Sequence, residues 1–251
     1  MPPREAPRPG VLLAATVLAV LSGLAAACQS QPTVTGYWEG KGTASDTPMK
    51  DDFRQMTRNS EAEFWFVVRD DGSAVGEAEV IYDAELRVDN LPQVSAGFVS
   101  FNPEVGGKVT DPDPRRRFPI VGFYDVEDQK LVMTAVLDST SPKIEFTLRA
   151  DPGVSAGMSA SSGFGDSYGF SGSPGAGVIV QKIPMTPWSP FGDSGAEVQK
   201  RPGGPYEARY EERGENYSIQ WSARQMGGEQ REVELTPEAE RALERLQREA
   251  G

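Results

Sequence analysis

The feature that most constrains the fold of this 251-residue chain is a strict alternation of side-chain types over residues 76–88. The even positions read Gly, Ala, Val, Tyr, Ala, Leu and Val, and the odd positions are charged except at Ile81. Successive side chains of a β-strand point to opposite faces, so a period of two predicts one long strand with a dry face and a wet face. Residues 143–150 repeat the pattern and predict a second such strand.

Several shorter apolar segments predict that the rest of the domain is also β. The Asp-Asp-Gly sequence at residues 70–72 has the composition of a hairpin turn. Strands are predicted at residues 36–43, 64–68, 94–101, 120–124, 131–137, 178–182, 206–211 and 217–223. The predicted fold is therefore mainly β, an antiparallel barrel or sandwich of about 8–10 strands over residues 35–225.

Two segments break the strand pattern. Gly and Ser make up 15 of the 27 residues from 151 to 177, a composition that predicts either a flexible insertion or a lid that closes over a cavity. Residues 184–205 are rich in proline, and this composition is expected to exclude both a helix and a central strand. Trp188 and Phe191 in this stretch could contact a partner or could pin the loop onto the core.

An amphipathic helix is predicted at the C-terminus, within residues 231–251. Thr236 is a favourable N-cap, and Pro237 suits the first helical position. The apolar residues Ala239, Leu243 and Leu246 share one face. This face predicts a helix that lies on the β domain or a helix that binds a partner.

The N-terminus has the layout of an export signal. Arg4 and Arg8 precede a 17-residue run without charge, residues 11–27, which is short for a membrane span. The run ends in Leu-Ala-Ala-Ala-Cys at residues 24–28, which resembles the lipobox of bacterial lipoproteins, although Ala25 stands where that family most often has leucine. The resemblance implies a signal peptide at residues 1–27, a diacylglycerol on Cys28, acylation such as palmitate on the new amine, and a tether at residues 28–34.

The same resemblance implies where the protein is found. It predicts a protein held by lipid at the extracytoplasmic side, on the outer membrane or on the outer face of the cell membrane. A second resemblance concerns residues 36–38, Gly-Tyr-Trp, which are similar to the Gly-x-Trp opening of lipocalin-like barrels. That resemblance implies that Trp38 closes one end of a barrel.

Composition excludes several functions. The chain has no histidine and one cysteine, so the serine-protease-like sequence at residues 192–195 and the lipase-like sequence at residues 165–167 lack the histidine that activates such a serine. Histidine-ligated metal sites are excluded as well, and we expect no cofactor and no metal. A formal net charge of −12 argues against nucleic acid as a partner.

Three hypotheses for function remain. The first is a non-enzymatic, lipid-anchored envelope lipoprotein that binds a small apolar ligand inside a β-barrel. Its candidate ligand-binding residues lie on the predicted dry faces and are Trp38, Val80, Tyr82, Leu86 and Phe146. The second is an interaction module that docks to another envelope protein, and the third is a hydrolase that uses paired carboxylates.

Overall fold

The computed structural model describes residues 34–89, 94–96, 99–101, 105–150, 158–161, 167–170, 179–192, 195–227 and 235–250. The chain divides into two compact units, Met1–Val34 and Thr35–Gly251, and all described strands and the described helix belong to the second unit. Residues 1–33, which hold the predicted signal peptide and Cys28, lie outside the described residues. The lipid attachment therefore stays a prediction.

Fifteen strands and one helix form from the described residues. They are β1 (Gly36–Lys50), β2 (Arg54–Val68), β3 (Ser73–Val88), β4 (Val94–Ala96), β5 (Val99–Phe101), β6 (Val105–Val109), β7 (Arg115–Asp125), β8 (Lys130–Ala135), β9 (Ile144–Ala150), β10 (Met158–Ser161), β11 (Ser167–Phe170), β12 (Ile179–Met185), β13 (Ala196–Lys200), β14 (Tyr206–Arg213), β15 (Tyr217–Gln225) and the helix α1 (Pro237–Ala250).

Eleven of the strands form one antiparallel sheet, in the order β12-β9-β6-β3-β2-β1-β15-β14-β13-β8-β7. The first half of β3 also pairs with β7, which closes eight strands, β3-β2-β1-β15-β14-β13-β8-β7, into a ring. The second half of β3 pairs with β6 instead, so that β6, β9 and β12 extend the sheet beyond the ring. The predicted mainly β, antiparallel fold with a C-terminal helix is confirmed, and the main sheet has eleven strands rather than 8–10.

The stagger of the strands fixes the width of the ring. Directly paired residues can be followed around it from Arg117 through Glu79, Glu63, Lys41, Ser222, Arg209, Glu197 and Lys130 to Asp125. The path returns to β7 eight residues from its start, because 125 − 117 = 8. A closed sheet of eight strands with this stagger has an interior just wide enough to be filled by side chains.

The inward and outward faces of the ring differ sharply in chemistry. The outward side chains on the path above are charged or polar. The inward side chains are mostly apolar and almost fully buried, among them Trp38 at 1 % exposure, Phe66 at 0 % and Phe118 at 2 %. The alternation in the sequence therefore sorts the side chains between solvent and the core of the ring.

Glycines make room for aromatic rings inside the ring of strands. A Cβ atom on Gly40 would collide with the ring of Phe64, and one on Gly42 would lie 2.6 Å from Cβ of Trp221. Phe64 and Trp221 come from the two strands that flank β1, and their rings meet edge to face with centroids 5.9 Å apart. The glycines of β1 thus allow the two rings to pack across the strand.

Two parts of the strand prediction were wrong, and β6, β10 and β11 were not predicted. The predicted strand at residues 94–101 is a hairpin of β4 and β5. The proline-rich segment contains β13, which is paired on both sides by β14 and β8 and is therefore a central strand. Proline removes a backbone donor only at its own position, and Ala196–Lys200 has no proline.

The helix α1 begins as the sequence predicts and lies on the outward side of β7. The backbone N–H of Ala239 donates to the Thr236 hydroxyl at 3.2 Å, the bond expected of an N-cap. Ala239, Ala242 and Leu243 pack with Val121 of β7. The apolar face of the helix is therefore used within the chain.

Most of residues 151–177 lie outside the described residues. The described parts of this segment are β10 and β11, which pair with each other. The predicted flexibility of this insertion therefore stays a prediction.

Candidate functional site

The loop between β12 and β13 is pinned to one end of the ring by its two aromatic side chains. Trp188 is 4 % exposed, and its ring lies edge to face with that of Tyr82, with centroids 4.5 Å apart. The Tyr82 hydroxyl donates to the Trp188 carbonyl at 2.6 Å, and burial raises the pKa of Tyr82. Of the two alternatives left open for these aromatics, the structure shows the inward one.

Phe191 is the second anchor of the loop. It is 5 % exposed, and its ring lies edge to face with the rings of Phe64 and Trp221. The distances between ring centroids are 5.1 Å to Phe64 and 6.0 Å to Trp221. The next residue, Gly192, lies directly against the hydroxyl and ring of Tyr210, where no side chain would fit. Gly192 opens the serine-protease-like sequence, and its close approach to Tyr210 gives this glycine a packing role.

A charged pair interrupts the apolar inward face at this end of the ring. Arg58 of β2 is 5 % exposed and lies directly across from Asp46 of β1. The Arg58 guanidinium bonds to the Asp46 carboxylate through two nitrogens, with Nε at 2.8 Å from Oδ1. Its carbon also lies 4.8 Å from the centre of the Trp188 ring. A buried charge needs such a partner, and the pair neutralises itself.

A third charge, Glu212, lies at the end of β14. Its carboxylate accepts hydrogen bonds from two tyrosine hydroxyls, that of Tyr210 and that of Tyr217, the latter at 2.7 Å. These two donors hold the pKa of Glu212 below its usual range. The carboxylate therefore remains ionised at neutral and mildly acidic pH.

These groups surround a pocket of about 450 Å³ between the loop and the ring. Its wall combines aromatic and aliphatic side chains with two acids. The described lining residues are Ala44, Ser45, Asp46, Thr47, Pro48, Trp188, Ser189, Phe191, Gly192, Glu212, Asn216, Tyr217 and Ile219. Pockets of about 300–1,000 Å³ with an apolar wall and a few polar groups are typical of small-molecule sites.

The five ligand-binding candidates from the sequence are buried elsewhere in the sheet, four on strands of the ring and Phe146 on β9. Trp38 is stacked on Phe66 with centroids 5.7 Å apart, and Val80 is fully buried on β3. Tyr82 is the one that touches the loop, through Trp188. Leu86 lies across from Gly107, and the Phe146 ring covers the same glycine. None of the five is among the described residues that line the pocket, and their role in binding stays a prediction.

The outward face of the ring carries compensated charge. Arg117 bonds to Glu79 at 2.7 Å, Arg115 lies 3.6 Å from the same carboxylate, and Arg116 pairs with Asp111. The basic cluster at residues 115–117 is thus locally neutralised. The exposed pairs of Arg115 and Arg117 with Glu79 contribute little to stability, about 0–1 kcal/mol each, whereas the Arg116–Asp111 pair is largely buried, with side chains 12 % and 15 % exposed.

The described residues set limits on other kinds of site. Within those ranges, no group of three or more histidine, cysteine, aspartate or glutamate residues is arranged to hold a metal ion. No helix in the described part of the chain is long and apolar enough to cross a membrane. No protein-family model matches the chain, and the comparisons with curated proteins and with solved structures found no match.

Proposed function

We propose that this chain is a lipid-anchored envelope lipoprotein whose β domain binds a small molecule with an apolar body, without catalysis. The observation that carries the proposal is the pocket of about 450 Å³ at the end of the ring. Trp188, Phe191 and Ile219 supply its apolar wall, and both aromatics are held by contacts with the interior of the ring. A wall fixed in this way loses little conformational entropy when a ligand binds.

The chemistry of the pocket argues against the hydrolase hypothesis. Acid catalysis by a carboxyl pair needs one group that stays protonated at working pH, which requires a raised pKa. Glu212 has a lowered pKa, because two tyrosine hydroxyls donate to it. Asp46 is bound to Arg58 on two oxygens and serves as the counterion of that buried guanidinium.

Packing also weakens the interaction-module hypothesis in the form that the sequence suggested. That hypothesis assigned docking to the proline-rich segment and the C-terminal helix. The aromatic side chains of the proline-rich segment, Trp188 and Phe191, are buried against the ring. The apolar face of the C-terminal helix packs on Val121. These side chains therefore offer a partner little apolar surface.

The proposal predicts saturable binding of a neutral apolar dye, N-phenyl-1-naphthylamine. Binding is measured through the fluorescence of the dye. Because Thr35–Gly251 is a compact unit by itself, the test uses the chain from residue 28 onward with Cys28→Ser. Ile219→Trp places a larger side chain in the pocket, and we expect it to weaken dye binding at least about tenfold, which corresponds to ~1.4 kcal/mol.

The matched control is Ile81→Trp, which makes the same change on the outward face of β3, where Ile81 is 39 % exposed. We expect dye affinity within about twofold of the parent protein for this variant, a difference below ~0.5 kcal/mol. Equal binding by the two tryptophan variants would place the dye outside the pocket. Dye binding that never saturates would remove the proposed function.

A further inference from the structure

The charges around the pocket carry an inference about the ligand that deepens the proposed function and rests on it. Among the described residues that line the pocket, the charged ones are Asp46 and Glu212, and both are acids. Asp46 is already neutralised by Arg58 behind it. The pocket is therefore left with one uncompensated negative charge, that of Glu212.

The described residues around Glu212 do not cancel this charge. Its two hydrogen-bond donors, Tyr210 and Tyr217, are neutral. Arg213, the nearest basic residue along the chain, is 66 % exposed and pairs with Glu211 at 2.9 Å. Glu215 in the following turn adds a further negative charge. An anionic ligand would meet repulsion here, whereas a cation would gain a counterion.

Within the part of the chain that the structure describes, the carboxylate of Glu212 also has unused hydrogen-bonding capacity. An ionised carboxylate has about four lone-pair sites, and the two tyrosine hydroxyls occupy two of them. The same pocket is lined by Trp188, Phe191 and Tyr217, and aromatic rings attract ammonium groups. An acid beside aromatic rings is the combination that recognises an organic amine.

We propose that the ligand of this pocket is an organic cation, a molecule with an apolar or aromatic body and one protonated amine. The amine donates to the free lone pairs of the Glu212 carboxylate, while the apolar body lies against Trp188, Phe191 and Ile219. The Asp46–Arg58 pair supports the wall of the pocket at Trp188, because the Arg58 guanidinium lies over the Trp188 ring.

Three probes of nearly equal size separate charge from shape: 2-phenylethylammonium, the neutral 2-phenylethanol and the anionic 3-phenylpropionate. Their affinities are measured directly by calorimetric titration, independently of the dye. We expect the ammonium to bind at least about tenfold more tightly than the alcohol, which corresponds to ~1.4 kcal/mol, and the carboxylate to bind most weakly. The preference should shrink as salt is raised from about 20 to 500 mM.

Glu212→Gln tests the assignment, because it keeps the shape and the acceptor oxygen and removes the charge. We expect it to bring the ammonium and the alcohol to within about twofold of each other. Glu211→Gln is the control, since it makes the same change in net charge at the adjacent residue, which is exposed and paired with Arg213. It should leave the tenfold preference intact.

The outcomes of the two proposals are distinguishable. If the dye binds in the pocket and the ammonium and alcohol bind equally in the parent protein, the cation assignment is overturned and the binding function stands. The assignment also fails if Glu211→Gln abolishes the preference as Glu212→Gln does, because the effect would then come from net charge alone. Ammonium binding that depends on Glu212 supports the assignment even where the dye does not bind.

Discussion

Replacement of Cys28 by serine is expected to remove all lipid from the protein and to release its mature form from the membrane. Only the thiol of Cys28 can form the thioether of a lipobox, and the chain has one cysteine. Stable anchoring requires more than one acyl chain, at about 0.8 kcal/mol per buried methylene group. The measurement is incorporation of labelled palmitate, together with fractionation of the cells.

The matched control is Ser30→Ala, a change two residues away that leaves the cysteine in place. We expect this variant to keep the label and to sediment with membranes like the parent protein. A Cys28→Ser protein that still carries the label would contradict the anchor assignment. A Cys28→Ser protein whose cleaved form stays with membranes after a high-salt wash would contradict it as well.

Trp38→Ala is expected to lower the free energy of unfolding by about 3–5 kcal/mol, the cost of deleting a large buried aromatic side chain. Trp38 is 1 % exposed and is stacked on Phe66, and the narrow interior of an eight-stranded ring leaves few ways to fill the gap. A domain is stable by only about 5–15 kcal/mol, so this variant should unfold at a much lower urea concentration.

Trp65→Ala is the comparison that tests the sidedness of the ring. Trp65 lies on β2 across from Glu39, with its side chain on the outward face and half-buried. We expect a loss of less than about 1.5 kcal/mol for this variant, since an outward gap can fill with water. Equal losses for the two tryptophan variants would show that the inward and outward faces have been assigned the wrong way round.

The strand periodicity could be predicted from the sequence because it depends on adjacent residues only. Every odd position of residues 77–87 faces outward and every even position of residues 76–88 is buried, as the period of two requires. The hairpin turn at residues 70–72 and the helix N-cap at Thr236 are likewise local. Each of these features needs no information about distant parts of the chain.

The pocket could not be predicted in the same way, although a signal for it was present. Arg58 and Glu212 occupy even positions on β2 and β14, where the other even residues of these strands are mostly apolar. A charged residue on the dry face of a strand indicates either a buried ion pair or a site. The sequence does not say which strand lies opposite, so Arg58 could not be matched to Asp46 or Glu212 to Tyr217.

The sequence by itself predicted the mainly β fold, the buried face of its strongly alternating strands and the chemistry excluded by the lack of histidine, but it missed β6 and β13. The tertiary structure alone decided how the strands close. The ring depends on the pairing of β3 with β7 and the central place of β13, contacts between segments far apart in the chain. Closure narrows the interior until side chains fill it, so that the pocket proposed here lies at the end covered by Trp188 and Phe191 and not in the core, where the sequence predicted a cavity.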